Sequence, residues 1–244
     1  MKYSILTIAA IVALCGSSLA QQKGDPKATE VWTPVPPKVD PGTNNQAPSD
    51  AIVLFDGKNL DQWESAKSGA AAWTLEENAL TVKAGAGDIR TKEKFSDCQL
   101  HIEWRTPSIV KGEGQGRGNS GIFLMEQYEL QVLDNYDNVT YSNGQAGSIY
   151  KQHIPLVNVC RKPGEWQSYD VVFTAPRFNT NGSLASPARI TVFQNGVLVQ
   201  NNVSLKGRTE YIGQPTYKQH GPGSIQLQDH GDEVSFRNIW IRKL

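Results

Sequence analysis

The chain reads as all-β, a two-sheet antiparallel sandwich, because strand-like runs recur along it while helical periods and fixed repeats do not. The runs are AIVLF, AWTLEENALTV, DCQLHIEWR, SGIFLM, YELQVLD, SYDVVFTA, ARITVFQNGVLVQ, SIQLQD and VSFRNIWIR, each bounded by turn residues. Beyond the first twenty residues no stretch of a dozen keeps a helical apolar period, so helices are expected to be few and short. The absence of a repeat at fixed spacing argues against a propeller or a solenoid.

The N-terminus is read as a signal peptide over residues 1–20. Lys2 supplies the charged region, Ile5 to Leu14 the apolar core and Ser18-Leu19-Ala20 a small-residue cleavage site. That apolar run is too short for a confident membrane span, so the protein is expected in the periplasm or outside the cell. Cys15 raises the question of a lipid anchor, but Leu14 precedes it where such anchors carry a small residue. Residues 21–50, rich in Pro, Asn and Gly, are expected to form an extended arm. Val31 and Trp32 are its apolar exceptions, candidates for a short edge strand or a plug in an apolar groove. Residues 51–244 then suffice for one sizeable β domain. Its surest local feature is a hairpin at Asn195-Gly196, a pair that tolerates positive φ at both central positions. Asn78 and the pair Asn143-Gly144 mark further turns.

Three runs carry chemistry on one face. In CQLHIEWR, alternation puts Leu100, Ile102 and Trp104 on one side and His101, Glu103 and Arg105 on the other. YELQVLD places Glu129 and Gln131 together, and SIQLQDHG does the same for Gln226, Gln228 and His230. A solvated antiparallel sheet also alternates in this way. Clustered Glu, Gln and His with few Lys or Thr nevertheless favour a ligand-binding face, expected as one patch if the three strands share a sheet.

Other motifs exclude more than they assign. The segment KGEGQGRGNSGIF lacks the Gly-Lys-Ser/Thr ending of a phosphate loop and reads as a mobile loop, with Asn119 and Ser120 at its hinge. Ser120 in GNSGI lacks the glycine spacing of a nucleophile elbow. The oxygen-rich LDNYDN run does not have EF-hand spacing, and Asx clusters are ordinary turn formers. No pair among His101, His153, His220 and His230 has zinc-motif spacing. Balanced charge, 24 Lys and Arg against 24 Asp and Glu, argues against a nucleic-acid partner. Cys98 and Cys160 either bridge, closing a loop of about 60 residues worth roughly 4 kcal/mol, or stay as two thiols.

Taken in order, LFDGKNLDQW, DCQLHIEW, GRGNSGIFLM, YELQVLD, KPGEWQSYDVVF and LQDHGDEVSFRNIWIRKL resemble the 3-keto-disaccharide hydrolase domain family from Ala51 to Leu244. The resemblance implies a concanavalin A-like jelly-roll sandwich that acts on glycosides whose sugar has been oxidised to a 3-ketone. Such a ketone acidifies the hydrogen at C2, so a base removes it, the C1 substituent leaves, and water adds to the alkene. Donors or a divalent metal ion must stabilise the enolate. On this reading Glu103 and His230 are the catalytic pair, and His101, Arg105, Asn119, Glu129, Gln131 and Gln228 hold or polarise a small carbohydrate. Lys151 and Gln152 stand where the family often has glycine, and Gln194 and Asn202 replace frequent histidines, so His153, Gln194 and Asn202 are assigned no catalytic role. The rival expectation is a carbohydrate-binding module without turnover.

Overall fold

The computed structural model describes residues 24–43 and 45–244, so the signal peptide read at residues 1–20, with Cys15, lies outside the described residues. The chain divides into two units, residues 1–38 and 39–244. In the first, Asp25 accepts a hydrogen bond from the Lys27 amide and caps a short 3-10 turn over Pro26–Thr29. Val31 and Trp32 follow it without joining a strand, and the Trp32 indole donates to Glu30.

The second unit is a sandwich of strands. In chain order these begin with β1 Ile52–Phe55, β2 Trp63–Ser65, β3 Thr74–Glu76, β4 Ala79–Thr81 and β5 Ile89–Thr91. Next come β6 Cys98–Arg105, β7 Ser120–Leu124, β8 Tyr128–Val132, β9 Gln167–Thr174 and β10 Arg177–Phe178. The last are β11 Leu184–Ser186, β12 Arg189–Gln194, β13 Val197–Ser204, β14 Gln226–Leu227 and β15 Ser235–Lys243. The larger, eight-stranded sheet runs β13-β12-β9-β6-β15-β4-β3, with β1 also paired to β15. The smaller, five-stranded sheet runs β2-β5-β14-β7-β8. Every pairing between named strands is antiparallel, and the described helices are single 3-10 turns, as the sequence predicts.

The core lies between the sheets. Leu100, Ile102, Trp104, Tyr169, Val171 and Phe236 of the larger sheet belong to the same buried cluster as Ile122, Leu124, Leu130, Val132 and Leu227 of the smaller. The Asn195-Gly196 hairpin joins β12 to β13 with φ of 53° and 78°, the left-handed pair that such a turn requires. Residues 39–50 belong to the sandwich unit, which therefore starts ahead of Ala51: Asp50 forms a fork with the Arg242 guanidinium, and the Asn45 carbonyl accepts from Asn238 and Trp240.

The two cysteines do not meet. Cys98 is buried in the core at the start of β6, whereas Cys160 sits in the loop before β9 and accepts a 3.4 Å contact from Gln194 Nε2. Burial pushes their thiols up to about 12 and about 11, so neither is a nucleophile. Titration of denatured, unreduced protein lacking residues 1–20 should find two thiols; finding none would establish the bridge.

Candidate functional site

On β8, Tyr128, Leu130 and Val132 turn into the core, so strand alternation sends Glu129 and Gln131 to the outer face of the smaller sheet. They are nevertheless buried, at 5% and 1% exposure, because loops fold over that face. From beneath, the Tyr169 hydroxyl of β9 crosses the core and donates to the Gln131 carbonyl at 2.8 Å, holding the strand in place. On the neighbouring strand Gly121 lies against the Glu129 side chain. A Cβ there would stand 2.8 Å from Glu129 Oε1, so glycine gives the carboxyl its space.

The covering segments are held firmly. The glycine-rich run is pinned and not a free loop: Asn138 both accepts from the Gly114 amide and donates to its carbonyl, while Arg117 pairs with Asp134 at 2.8 Å. The side-chain oxygens of Asp134, Asn135 and Asn138 in LDNYDN are engaged in structure. The run positions Gln115 and Asn119, whose side-chain oxygens both accept from Gln131 Nε2, at 3.2 and 3.3 Å. Along the free edge of β8, the Tyr150 amide bonds the Glu129 carbonyl and the Gly147 amide bonds that of Gln131. Lys151 follows with a φ of 57°, in the left-handed region that favours glycine. A third segment crosses at Thr209, whose hydroxyl accepts from the Glu129 amide and whose own amide donates to the Gln127 carbonyl.

These elements enclose a cavity of about 660 Å³ walled by Glu129, Gln131, Asn119, Gln115, Gln228, Tyr141, Tyr150, Lys151, Tyr211 and Phe123, with an exposed His230 also lining it. Burial raises Glu129 to about 8, with the nearby Asp88 charge acting in the same direction. The Gln131 and Gln228 Oε1 atoms are buried in the protein without a partner. An unpartnered buried acceptor is costly, and the protein around these two leaves both unsatisfied. Burial and a 2.6 Å bond to the Tyr141 hydroxyl keep the Tyr150 phenol protonated. The Lys151 ammonium donates to the Tyr211 carbonyl and rests 4.2 Å from that ring's centre. Among the described residues no three His, Cys, Asp or Glu side chains converge as metal ligands, and a wall mostly of amides and phenols does not fit a divalent ion.

The structure thus unites five of the residues singled out from sequence, Glu129, Gln131, Asn119, Gln228 and His230, and separates three others. The expected single patch is corrected here, because β6 lies in the larger sheet whereas β8 and β14 lie in the smaller. Leu100, Ile102 and Trp104 point into the shared core, so His101, Glu103 and Arg105 face away from the cavity on the opposite side of the sandwich. Glu103 and His230 therefore do not form a pair.

Glu103 instead receives Arg237 Nε at 2.6 Å and Asn238 Nδ2 at 3.0 Å, across a bulge where Asn238 adopts a φ of 46°. His101 stacks on Trp240 and bonds Asp170 at 2.6 Å, with Glu103 3.7 Å from its other nitrogen. The neighbouring imidazole, with Asn238 and Arg237, outweighs burial and holds Glu103 down at about 2. Burial opposes charge on His101, but Asp170 and Glu103 prevail and raise it to about 9. Arg105 pairs with Glu77 and lies over the Trp166 ring, which also receives Arg237. Sequence reasoning did not select Gln115, Tyr141, Tyr150, Lys151 or Tyr211. Only Lys151 carried a signal, through the resemblance that expects glycine there.

The family described as the 3-keto-alpha-glucoside-1,2-lyase-like domain matches residues 50–242. A 3-keto-disaccharide hydrolase of Bacteroides thetaiotaomicron is 26% identical over a 263-residue alignment that covers 82% of this chain and 81% of that protein. Among solved structures, a Parabacteroides distasonis protein provisionally assigned as a glycosyl hydrolase superposes with a TM-score of 0.88 at 55% identity, covering 90% of this chain and 97% of its own. A second protein from that organism, with the same provisional assignment, shares the fold at a TM-score of 0.59 and 20% identity, covering 85% and 100%.

Proposed function

Since the chain belongs to the 3-keto-alpha-glucoside-1,2-lyase-like domain family, we propose that it is a carbohydrate-active enzyme that cleaves 3-keto-glycosides with Glu129 as its base. The observation that carries this reading is a buried carboxyl raised to about 8 in a cavity with unpartnered amide acceptors. A general base works best when its pKa lies near the working pH, and Glu129 is a far stronger base than a solvated carboxylate.

The residues divide the work as follows. Gln131 and Gln228 line the wall that meets the sugar, while Asn119 and Gln115 hold the Gln131 amide in position. Glu129 takes the C2 proton, and the electrons of that C–H bond become the enolate of the 3-ketone. The enolate then re-forms the ketone as a C1–C2 double bond develops and the C1–O bond breaks, with the leaving oxygen taking up a proton. Water adds its hydroxyl to C1 and a proton returns to C2, so the net change is hydrolysis. Lys151 and the protonated Tyr150 are the donors on the wall suited to the charge that develops on oxygen.

Aglycone release from a 3-keto-glucoside by purified protein tests the reading. Release is expected from the keto-sugar and not from the parent glucoside, whose C2 hydrogen is not acidified. Sugar binding without turnover of any keto-sugar would identify a binding module instead.

A further inference from the structure

Strand pairing sets a phenol across from the Glu129 carboxyl. Leu130 of β8 and Ile149 pair antiparallel and both belong to the core, so the residues one step along, Glu129 and Tyr150, stand opposite each other on the outward face. Side chains paired in this way start about 5 Å apart at Cβ. Both line the Glu129 cavity, and the Tyr150 hydroxyl bonds that of Tyr141 at 2.6 Å, where either oxygen can donate. We infer that Tyr141 is a positioning residue for acid catalysis by Tyr150: it aims the phenol at the leaving oxygen and donates to the phenolate that proton transfer creates. The inference rests on the reaction proposed above.

In the elimination the C1–O electrons pass to the leaving oxygen, which takes the Tyr150 proton, while Glu129 holds the proton from C2. In the hydration the Tyr150 phenolate takes a proton from water as the hydroxide adds to C1, and Glu129 returns its proton to C2. Between the two steps a phenolate stands in a half-buried position and needs a donor. Tyr141 accepts from Tyr150 at rest and turns its own O–H toward the phenolate oxygen once the proton has gone. The Lys151 ammonium, 5.6 Å from the Tyr150 ring centre and 5.7 Å from that of Tyr141, favours the same negative charge. The turn that carries Tyr141 is tied to the base side of the cavity. Gln115 Nε2 donates to the Thr140 hydroxyl at 2.9 Å and to the Gly144 carbonyl at 2.8 Å, while Gln115 Oε1 accepts from Gln131. The Gly144 amide closes the turn on the Tyr141 carbonyl, and a Cβ at Gly144 would overlap the Tyr141 ring, so glycine lets the ring lie beside Tyr150.

The test measures release of the alcohol or phenol from methyl 3-keto-glucoside and from 4-nitrophenyl 3-keto-glucoside by wild type, Tyr141→Phe, Tyr150→Phe and the double variant. Methoxide needs a proton as it leaves, whereas nitrophenolate does not. Tyr141→Phe keeps the ring and removes only the hydroxyl. It is expected to lose about tenfold or more in kcat on the methyl glycoside, with KM within about twofold, and less than about threefold on the nitrophenyl glycoside. Tyr150→Phe should show the same split more strongly, and the double variant should lose no more than Tyr150→Phe alone, because the two hydroxyls act through one proton. A Tyr141→Phe protein that slows both substrates alike would make Tyr141 structural, and one that slows neither would remove it from the mechanism. Wild type that releases neither leaving group would refute the reaction itself, whereas an active wild type matched by Tyr141→Phe would refute only the assignment of Tyr141.

Discussion

Glu129→Gln should lose turnover by at least about 100-fold while gaining stability at alkaline pH. The amide keeps the size and most of the hydrogen bonding of the carboxyl but accepts no proton from C2. The stability change follows from the same burial. Folding raises Glu129 from 4.5 to about 8, so the folded state holds its proton more tightly than the unfolded chain. Native stability therefore falls as pH rises from about 4.5 to about 8, and is flat on either side of that window as far as this group is concerned. Glutamine does not titrate, so the variant should match wild type near pH 4, pull ahead through neutrality and hold a constant lead above pH 8. At roughly 1.4 kcal/mol per pKa unit the ceiling is about 5 kcal/mol, and relaxation with water entry brings the expected gain to about 1–3 kcal/mol. In wild type, kcat/KM should climb with pH to a plateau above about 8. Thermal melts from pH 4 to 9 and turnover of a 3-keto-glucoside measure both effects. Undiminished turnover would remove Glu129 as the base, and a variant less stable than wild type at pH 9 would mean that the carboxylate is paired in the folded state.

Glu103→Gln should do the reverse, keeping turnover within about twofold while melting at a lower temperature. Glu103 bonds Arg237 and Asn238 across β6 and β15 and lies beside the His101 that stacks on Trp240. Its pKa is lowered to about 2, so its contribution is fully present above the unfolded value near 4.5 and is lost as pH falls through 2. Losing the charge leaves Arg237 partly exposed but His101 buried with only Asp170 to balance it, a cost of roughly 2 kcal/mol, or about 4–8 °C for a domain of this size. His101, raised to about 9, contributes in the opposite sense: its share is complete below about 6.5 and disappears as pH rises through 9. The gap between variant and wild type should accordingly close near pH 2. A hundredfold loss of turnover at unchanged melting temperature would instead place Glu103 in the chemistry.

Alternation along single strands identified the outward side chains that line the cavity on β8 and just past β14, because a period of two is a local property that core packing enforces. It selected Glu129, Gln131 and Gln228 before any partner was known. On β6 the same pattern selected His101, Glu103 and Arg105 equally well, and these face the other side of the sandwich among Arg237, Asn238, Asp170 and Glu77. Nothing local separates the two cases, since a polar face shows its chemistry and not the sheet that owns it. Glu103 meets Arg237 at a sequence separation of 134, a pairing that only long-range strand order can make. The glycine-rich run was likewise visible, but its rigidity depends on Asn138 and Asp134, which reach it from beyond the next hairpin.

Composition, turn chemistry and strand periodicity by themselves determined an all-β sandwich, the Asn195-Gly196 hairpin and the outward face of each strand. These depend on neighbouring residues and on the steric rules of the backbone. Tertiary structure alone decided that the Glu129 carboxyl is raised and that of Glu103 is lowered. Both are glutamates at outward positions, but the Gly114–Gly116 turn, the Tyr150-Lys151 segment and the Thr209 loop cover Glu129 and leave it largely buried, while Arg237, Asn238 and His101 gather around Glu103. Desolvation raises a carboxyl and cationic neighbours lower it, and only the folded chain assigns one environment to each.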